Sequence, residues 1–131
     1  MNTQPLGNSI AEMLEAVRVD DLPPVEVGNG CYRRDLPSTA GVRVWVVDIS
    51  AGAEWPHIDE HDAAGEELFV VSGELIEGDF RFGPGTYVFF KPGSSHRPRS
   101  EKGVRLFGFN LVNGSPAANF YIFDAALCVA E

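Results

Sequence analysis

Apolar residues in this chain fall in short runs cut by glycine and proline, and helical spacing occurs near one end only. Ile10, Met13, Leu14 and Val17 recur three and four apart, and Ser9 with Glu12 three residues later forms a capping-box pattern. The spacing predicts a short amphipathic helix over about 10–18, with its apolar face packed on the body of the protein. Pro23 and Pro24 end it. Residues 25–27 are extended, Gly28-Asn29-Gly30 turns the chain, and 31–34 extend again. Val42–Ile49 is rich in β-branched residues and predicts a strand. After Gly52 comes the stretch that carries His57, Asp59 and His61 as a strand, then a turn over 62–65 and a strand over 66–72 that ends at Gly73. Residues 74–76 and Phe80–Phe82 flank Glu77-Gly78-Asp79, a hairpin signal. Tyr87–Phe90, 104–112 and 120–123 supply the last strands. Many short strands with turn residues between them predict an all-β sandwich or barrel. At 131 residues the chain is expected to form a single domain over 1–131, with its core over about 25–124.

Charge narrows the partners. Nineteen acidic against ten basic residues give a formal net charge of −9. Such a surface repels phosphate backbones and anionic membranes, so neither nucleic acid nor membrane is expected as a partner. No apolar run reaches the ~18 residues of a membrane span. The first nine residues have neither a basic start nor a hydrophobic signal core, and a cytoplasmic location is expected. Cys31 and Cys128 form no C-x-x-C motif, and two free thiols are expected.

The chemistry concentrates in two stretches. His57, Asp59 and His61 stand at alternate positions, which an extended strand presents on one face. Glu66 follows five residues after His61, and the turn-rich segment from Gly85 leads to His96, so all three histidines of the chain fall here. Imidazoles and carboxylates converging from separate strands suit a divalent first-row metal. Glu67 alternates to the opposite face and reads as a surface residue. Tyr87, Phe89, Phe107 and Phe109 alternate along strands and are expected to pack in the core. Arg97 and Arg99, beside His96, read as a solvated loop, with binding of an anionic substrate at a barrel mouth as the alternative, while Ser94 and Ser95 lack a charge-relay partner, so a serine nucleophile is not supported.

These residues resemble the cupin superfamily. Its first motif, G-x5-H-x-H-x3,4-E-x6-G, is matched by His61, Glu66 and Gly73. In its second, G-x5-P-x-G-x2-H-x3-N, Gly85, Gly93 and His96 fall at the family spacing, and Pro92 stands one place late. The wording G-E-E-L-F-V-V-S-G and P-G-S-S-H-R-P-R-S is similar to the ChrR-like branch, and the resemblance covers about 42–112. It implies a jelly-roll β-barrel whose His61, Glu66 and His96 hold a divalent ion (iron, zinc or manganese). Asp59 stands where the family has its first histidine, His57 lies two residues earlier, and Ser100 replaces the asparagine. Asp59 then serves as a fourth ligand or as a base, its pKa raised by an apolar barrel, and His57 is a ligand if the strand bulges. The implied function is a metal-dependent enzyme acting on a small organic substrate, a dioxygenase foremost. The alternatives are a non-redox isomerase, cyclase or lyase, and a non-enzymatic ligand-binding or sensor barrel. A homodimer is expected. An anti-sigma role is not, because only about twenty residues, without a cysteine-rich zinc motif, precede the first strand.

Overall fold

The computed structural model describes residues 9–61 and 64–112. The predicted strand over 120–123 and Cys128 lie outside them. Six strands form one antiparallel sheet: β1 (Val25–Gly28), β2 (Cys31–Leu36), β3 (Val42–Ile49), β5 (Glu66–Gly73), β8 (Tyr87–Phe90) and β10 (Val104–Leu111), in the order β1-β2-β3-β10-β5-β8. Two short ladders join β4 (Asp59–Glu60) to β9 (Ser95–His96) and β6 (Leu75–Glu77) to β7 (Phe80–Phe82). Backbone bonds from Ile76 to Arg99, Trp55 to Pro98 and Ser100 to Ala53 tie these ladders into a second layer.

Alternation decides what lies between the layers. Trp45, Val47 and Ile49 of β3, Leu68 and Val70 of β5, and Val104 and Leu106 of β10 share the inner face with Cys31 and are buried. Leu75 and Phe82 meet them from the β6–β7 hairpin, whose two-residue connection is Gly78-Asp79. Burying each such aliphatic side chain contributes about 1.5–3 kcal/mol. The all-β architecture expected from the sequence is present, and Cys31 is a buried free thiol.

Gly108 faces inward on β10 because Trp45 lies across it. A Cβ there would collide with the Trp45 indole and stand 2.5 Å from the Glu67 carbonyl oxygen. Overpacking of this kind costs roughly 1–3 kcal/mol. Gly108→Ala should therefore lower the unfolding free energy by that amount, read as a lower urea midpoint at an unchanged m-value. A midpoint equal to wild type would show that the indole moves aside freely.

Two expectations need correction. The helix spans only Ile10–Met13, and Leu14 is already extended (φ −138°, ψ 160°). The Ser9 amide does donate to Glu12 Oε1 at 3.0 Å, so the start signal is used. However, Ile10, Met13, Leu14 and Val17 are 40–68% exposed. Without a surface to pack on, so short a segment cannot offset the cost of helix nucleation. The aromatic expectation also fails for Tyr87 and Phe107, while Phe89 and Phe109 are half-buried. Tyr87 and Phe107 are 56% and 40% exposed, because the register turns Val88, Phe90, Leu106 and Gly108 inward instead.

Candidate metal centre

Three backbone features bring the site together. Asp59 pairs directly with His96 across the β4–β9 ladder, which places their side chains on one face. The ladder continues beyond β4 through His61 N–H to Ser94 O (2.9 Å) and Gly93 N–H to His61 O (2.8 Å). Gly93, at φ 83°, makes the turn that lets this second strand fold back. Glu66, the first residue of β5, pairs with Phe90 on one side and Asn110 on the other, with its side chain directed inward. Gly65 just before it carries no Cβ because one would strike the Phe90 carbonyl oxygen.

Four side chains converge. One ligand atom from each of Asp59, His61, Glu66 and His96 lies within 4.8 Å of all the others. His96 Nε2 stands 3.3 Å from Asp59 Oδ2 and 3.4 Å from Glu66 Oε2. His61 Nε2 stands 3.6 Å from Glu66 Oε2 and 3.8 Å from Asp59 Oδ2. The side chains of His61, Glu66 and His96 are 7–11% exposed, and that of Asp59 is 34%. Both Nε2 atoms are buried and without an aligned hydrogen bond, although carboxylate oxygens lie close by. Buried polar atoms are normally satisfied, so two such nitrogens facing two carboxylates fit a missing cation. These four residues could hold a metal ion.

His57 is not among them. It lies in a bend before β4, exposed, with its ring edge-on to Trp55 at 6.4 Å. The predicted strand through all three motif residues is only Asp59–Glu60, so the alternation that would align His57 with Asp59 stops short of it.

Glu77 and Phe90 belong to the site and were not singled out from the sequence. His96 Nδ1 is 2.8 Å from Glu77 Oε2, and Phe90 stacks on the His96 ring at 4.0 Å and 20°. A carboxylate on Nδ1 favours a proton there, which leaves Nε2 as the atom available to a metal. Glu77 sits at the hairpin end of β6, and nothing in the spacing links it to His96. Loss of such a partner costs roughly 10–100-fold in metal affinity. Glu77→Gln should weaken zinc binding in that range at unchanged stoichiometry, as calorimetry would report. An unchanged affinity would assign Glu77 to structure alone.

Electrostatics of the metal-free cluster follow from its crowding. Burial pushes the His96 imidazole down, but the close carboxylates of Asp59, Glu66 and Glu77 outweigh it and raise the pKa from 6.5 to about 11. Burial pushes Asp59 up, yet the adjacent His96 ring and the neighbouring imidazole charges leave it below the usual carboxylate value. This corrects the expectation of a raised aspartate. An ionised Asp59 facing both imidazoles is a carboxylate ready to ligate.

A cavity of about 280 Å³ opens above the cluster, lined also by Trp45, Trp55, Leu68, Arg33, Arg43 and Asn110. Trp45 Nε1 donates to Asn110 Oδ1 at 2.9 Å, which fixes both walls. Arg97 is held elsewhere: it donates to the Trp55 and Pro56 carbonyls and lies 3.6 Å from Glu54. Ser100, at the expected asparagine position, is buried and donates to the Glu74 carbonyl.

Comparison with known proteins decides the family. The ChrR cupin-like domain matches residues 12–111. The chain belongs to this family. A search of curated proteins found no match. Among solved structures the cupin is similar to a predicted oxalate decarboxylase from Thermotoga maritima, with a TM-score of 0.65 and 15% identity over 75% of this chain and 99% of that one. It is also similar to the polyketide cyclase RemF from Streptomyces resistomycificus (TM-score 0.64, 16% identity, 76% of this chain and 80% of that one). The Rhodobacter sphaeroides anti-sigma ChrR, solved with SigE, matches with a TM-score of 0.64 and 21% identity over 72% of this cupin. The chain spans about half of that protein, 52%. At these identities the likeness establishes a shared fold, the jelly-roll cupin. Among the described residues no helix is long and apolar enough to cross a membrane.

Proposed function

We propose that this cupin is a metal-dependent enzyme acting on a small organic molecule. The observation that carries it is a pair of buried imidazole nitrogens that make no aligned hydrogen bond and face two carboxylates beneath a cavity. In this reading His61, Glu66 and His96 hold the ion and Asp59 is the fourth ligand. When bound, the ion supplies Lewis acidity toward a substrate oxygen and, as iron or manganese, access to O₂ chemistry. Trp45, Trp55 and Leu68 exclude water and bind an apolar substrate body, while Phe90 keeps the His96 ring in place. The homodimer expected from the resemblance belongs to the same proposal, with light scattering as its check.

Dioxygenase activity is the finer reading. A non-redox cyclase, isomerase or lyase is the second, favoured by the mixed donor set of two imidazoles and two carboxylates, which zinc also accepts. A cyclase and a predicted decarboxylase among the similar folds point the same way. Protein purified without chelator, with and without air, separates them. About one equivalent of iron or manganese with O₂-dependent turnover of small dicarbonyls supports the dioxygenase. Turnover without O₂ on zinc-loaded protein supports the second reading. Ligand binding without turnover on any metal leaves a binding or sensor barrel, and no metal uptake after reconstitution refutes both enzymes.

A further inference from the structure

The cavity holds cations that the metal cluster does not use. Arg33 pairs with Val47 and Arg43 stands two residues before Trp45, so both lie on the inner face of the sheet, and both line the cavity. Elsewhere the arginines of this acidic chain are matched. Arg34 and Arg105 bind Asp48, Arg81 binds Glu74 and Glu101, Arg97 meets Glu54, Arg99 meets Glu101, and Arg18 meets Asp21. Arg43 is the one arginine without an ion-pair partner among the described residues. Arg33 Nε is 3.3 Å from Asp35 Oδ1 but is not aligned for a hydrogen bond, and it is buried and unsatisfied. Arg43 is exposed at the cavity edge with no acid beside it, and Arg33 keeps one buried donor unused, so in a chain of net charge −9 both are open to an acceptor from outside.

We infer that Arg33 and Arg43 are a carboxylate-binding wall, and that the cavity takes a small organic anion with an apolar body. This rests on the proposed function for the ion and narrows it to a substrate class. A divalent ion would balance the charges of Asp59 and Glu66, leaving two guanidiniums against Glu60 as the remaining charges of the lining. The cavity is then cationic on one wall and apolar where Trp45, Trp55, Leu68 and Leu106 line it. Guanidinium forks match carboxylates in shape as well as charge. The volume of about 280 Å³ restricts the guest to a single small ring or a short chain.

The chain's two tryptophans both line this cavity, so intrinsic fluorescence reports its occupancy. Phenylacetate and its neutral isostere phenylacetamide are titrated into zinc-reconstituted protein and, in parallel, into metal-free protein. Phenylacetate should bind at least tenfold more tightly than the amide. Arg43→Gln should weaken phenylacetate by about tenfold at unchanged zinc content, and Arg43→Lys should recover part of the loss. Equal binding of acid and amide, binding of neither, or an Arg43→Gln protein that binds phenylacetate like wild type would overturn the inference. An Arg43-dependent preference in a protein that takes up no metal would uphold it and refute the metal enzyme. Metal uptake without that preference would do the reverse.

Discussion

His96→Ala protein will fail to retain a divalent ion under conditions in which wild type holds one equivalent. His96 offers its Nε2 to both carboxylates of the cluster, at 3.3 and 3.4 Å, and no other described imidazole can replace it, since His57 lies outside. Loss of a ligand removes more than the roughly 10–100-fold that loss of an outer partner costs. Elemental analysis after dialysis checks it, and full zinc retention would refute the site. The same variant will also be less stable without metal. Breaking a fully buried ion pair costs roughly 3–5 kcal/mol, and less here because the Asp59 side chain is 34% exposed. The pH dependence has a definite sign. His96 has its folded pKa raised from 6.5 to about 11, so its contribution is complete below 6.5 and is lost as pH rises toward 11. The stability gap between metal-free wild type and His96→Ala should therefore be widest near pH 6 and should narrow by pH 9.5. A gap that widens with pH would mean the imidazole is neutral in the fold.

How much of this was legible in the sequence depends on whether the signal was local. Strands announced themselves where β-branched residues met glycine, so Val42–Ile49 was bounded correctly from composition alone. His61, Glu66 and His96 carried fixed spacings, and the fold brings all three together with Asp59. Glu77 carried none. Its partner is nineteen residues away, and the contact depends on how the β6–β7 hairpin lies over the end of β9. Arg33, Arg43 and Asn110 were hidden for a similar reason: each is a polar residue on an inner face that only the pairing register defines. Capping and periodicity describe a helix that something must bury, so the pattern over 10–18 yields only Ile10–Met13. Alternation names two faces without saying which is inside, so the placement of Tyr87 and Phe107 is not legible from it.

The departure at the first motif position sets the last prediction. Asp59→Asn should lower metal affinity by more than ~100-fold, while His57→Ala should leave it unchanged. Asp59 lies across from His96 in the ladder, its carboxylate is within 3.8 Å of both imidazole nitrogens, and those histidines favour its ionised form. The asparagine keeps the size and one oxygen but gives up the charge, so the loss reports charge and donor strength rather than a cavity. His57 would need its bend straightened and its exposed ring drawn away from Trp55 to reach the same atoms. Zinc titrations of the two variants distinguish the cases within one experiment. If His57→Ala loses the ion and Asp59→Asn keeps it, the segment before β4 closes on the metal, and the four-residue geometry describes only the metal-free protein. If Asp59→Asn alone loses it, the cluster of two imidazoles and two carboxylates is the site, and its second carboxylate makes it harder and more anionic than a set built on three histidines.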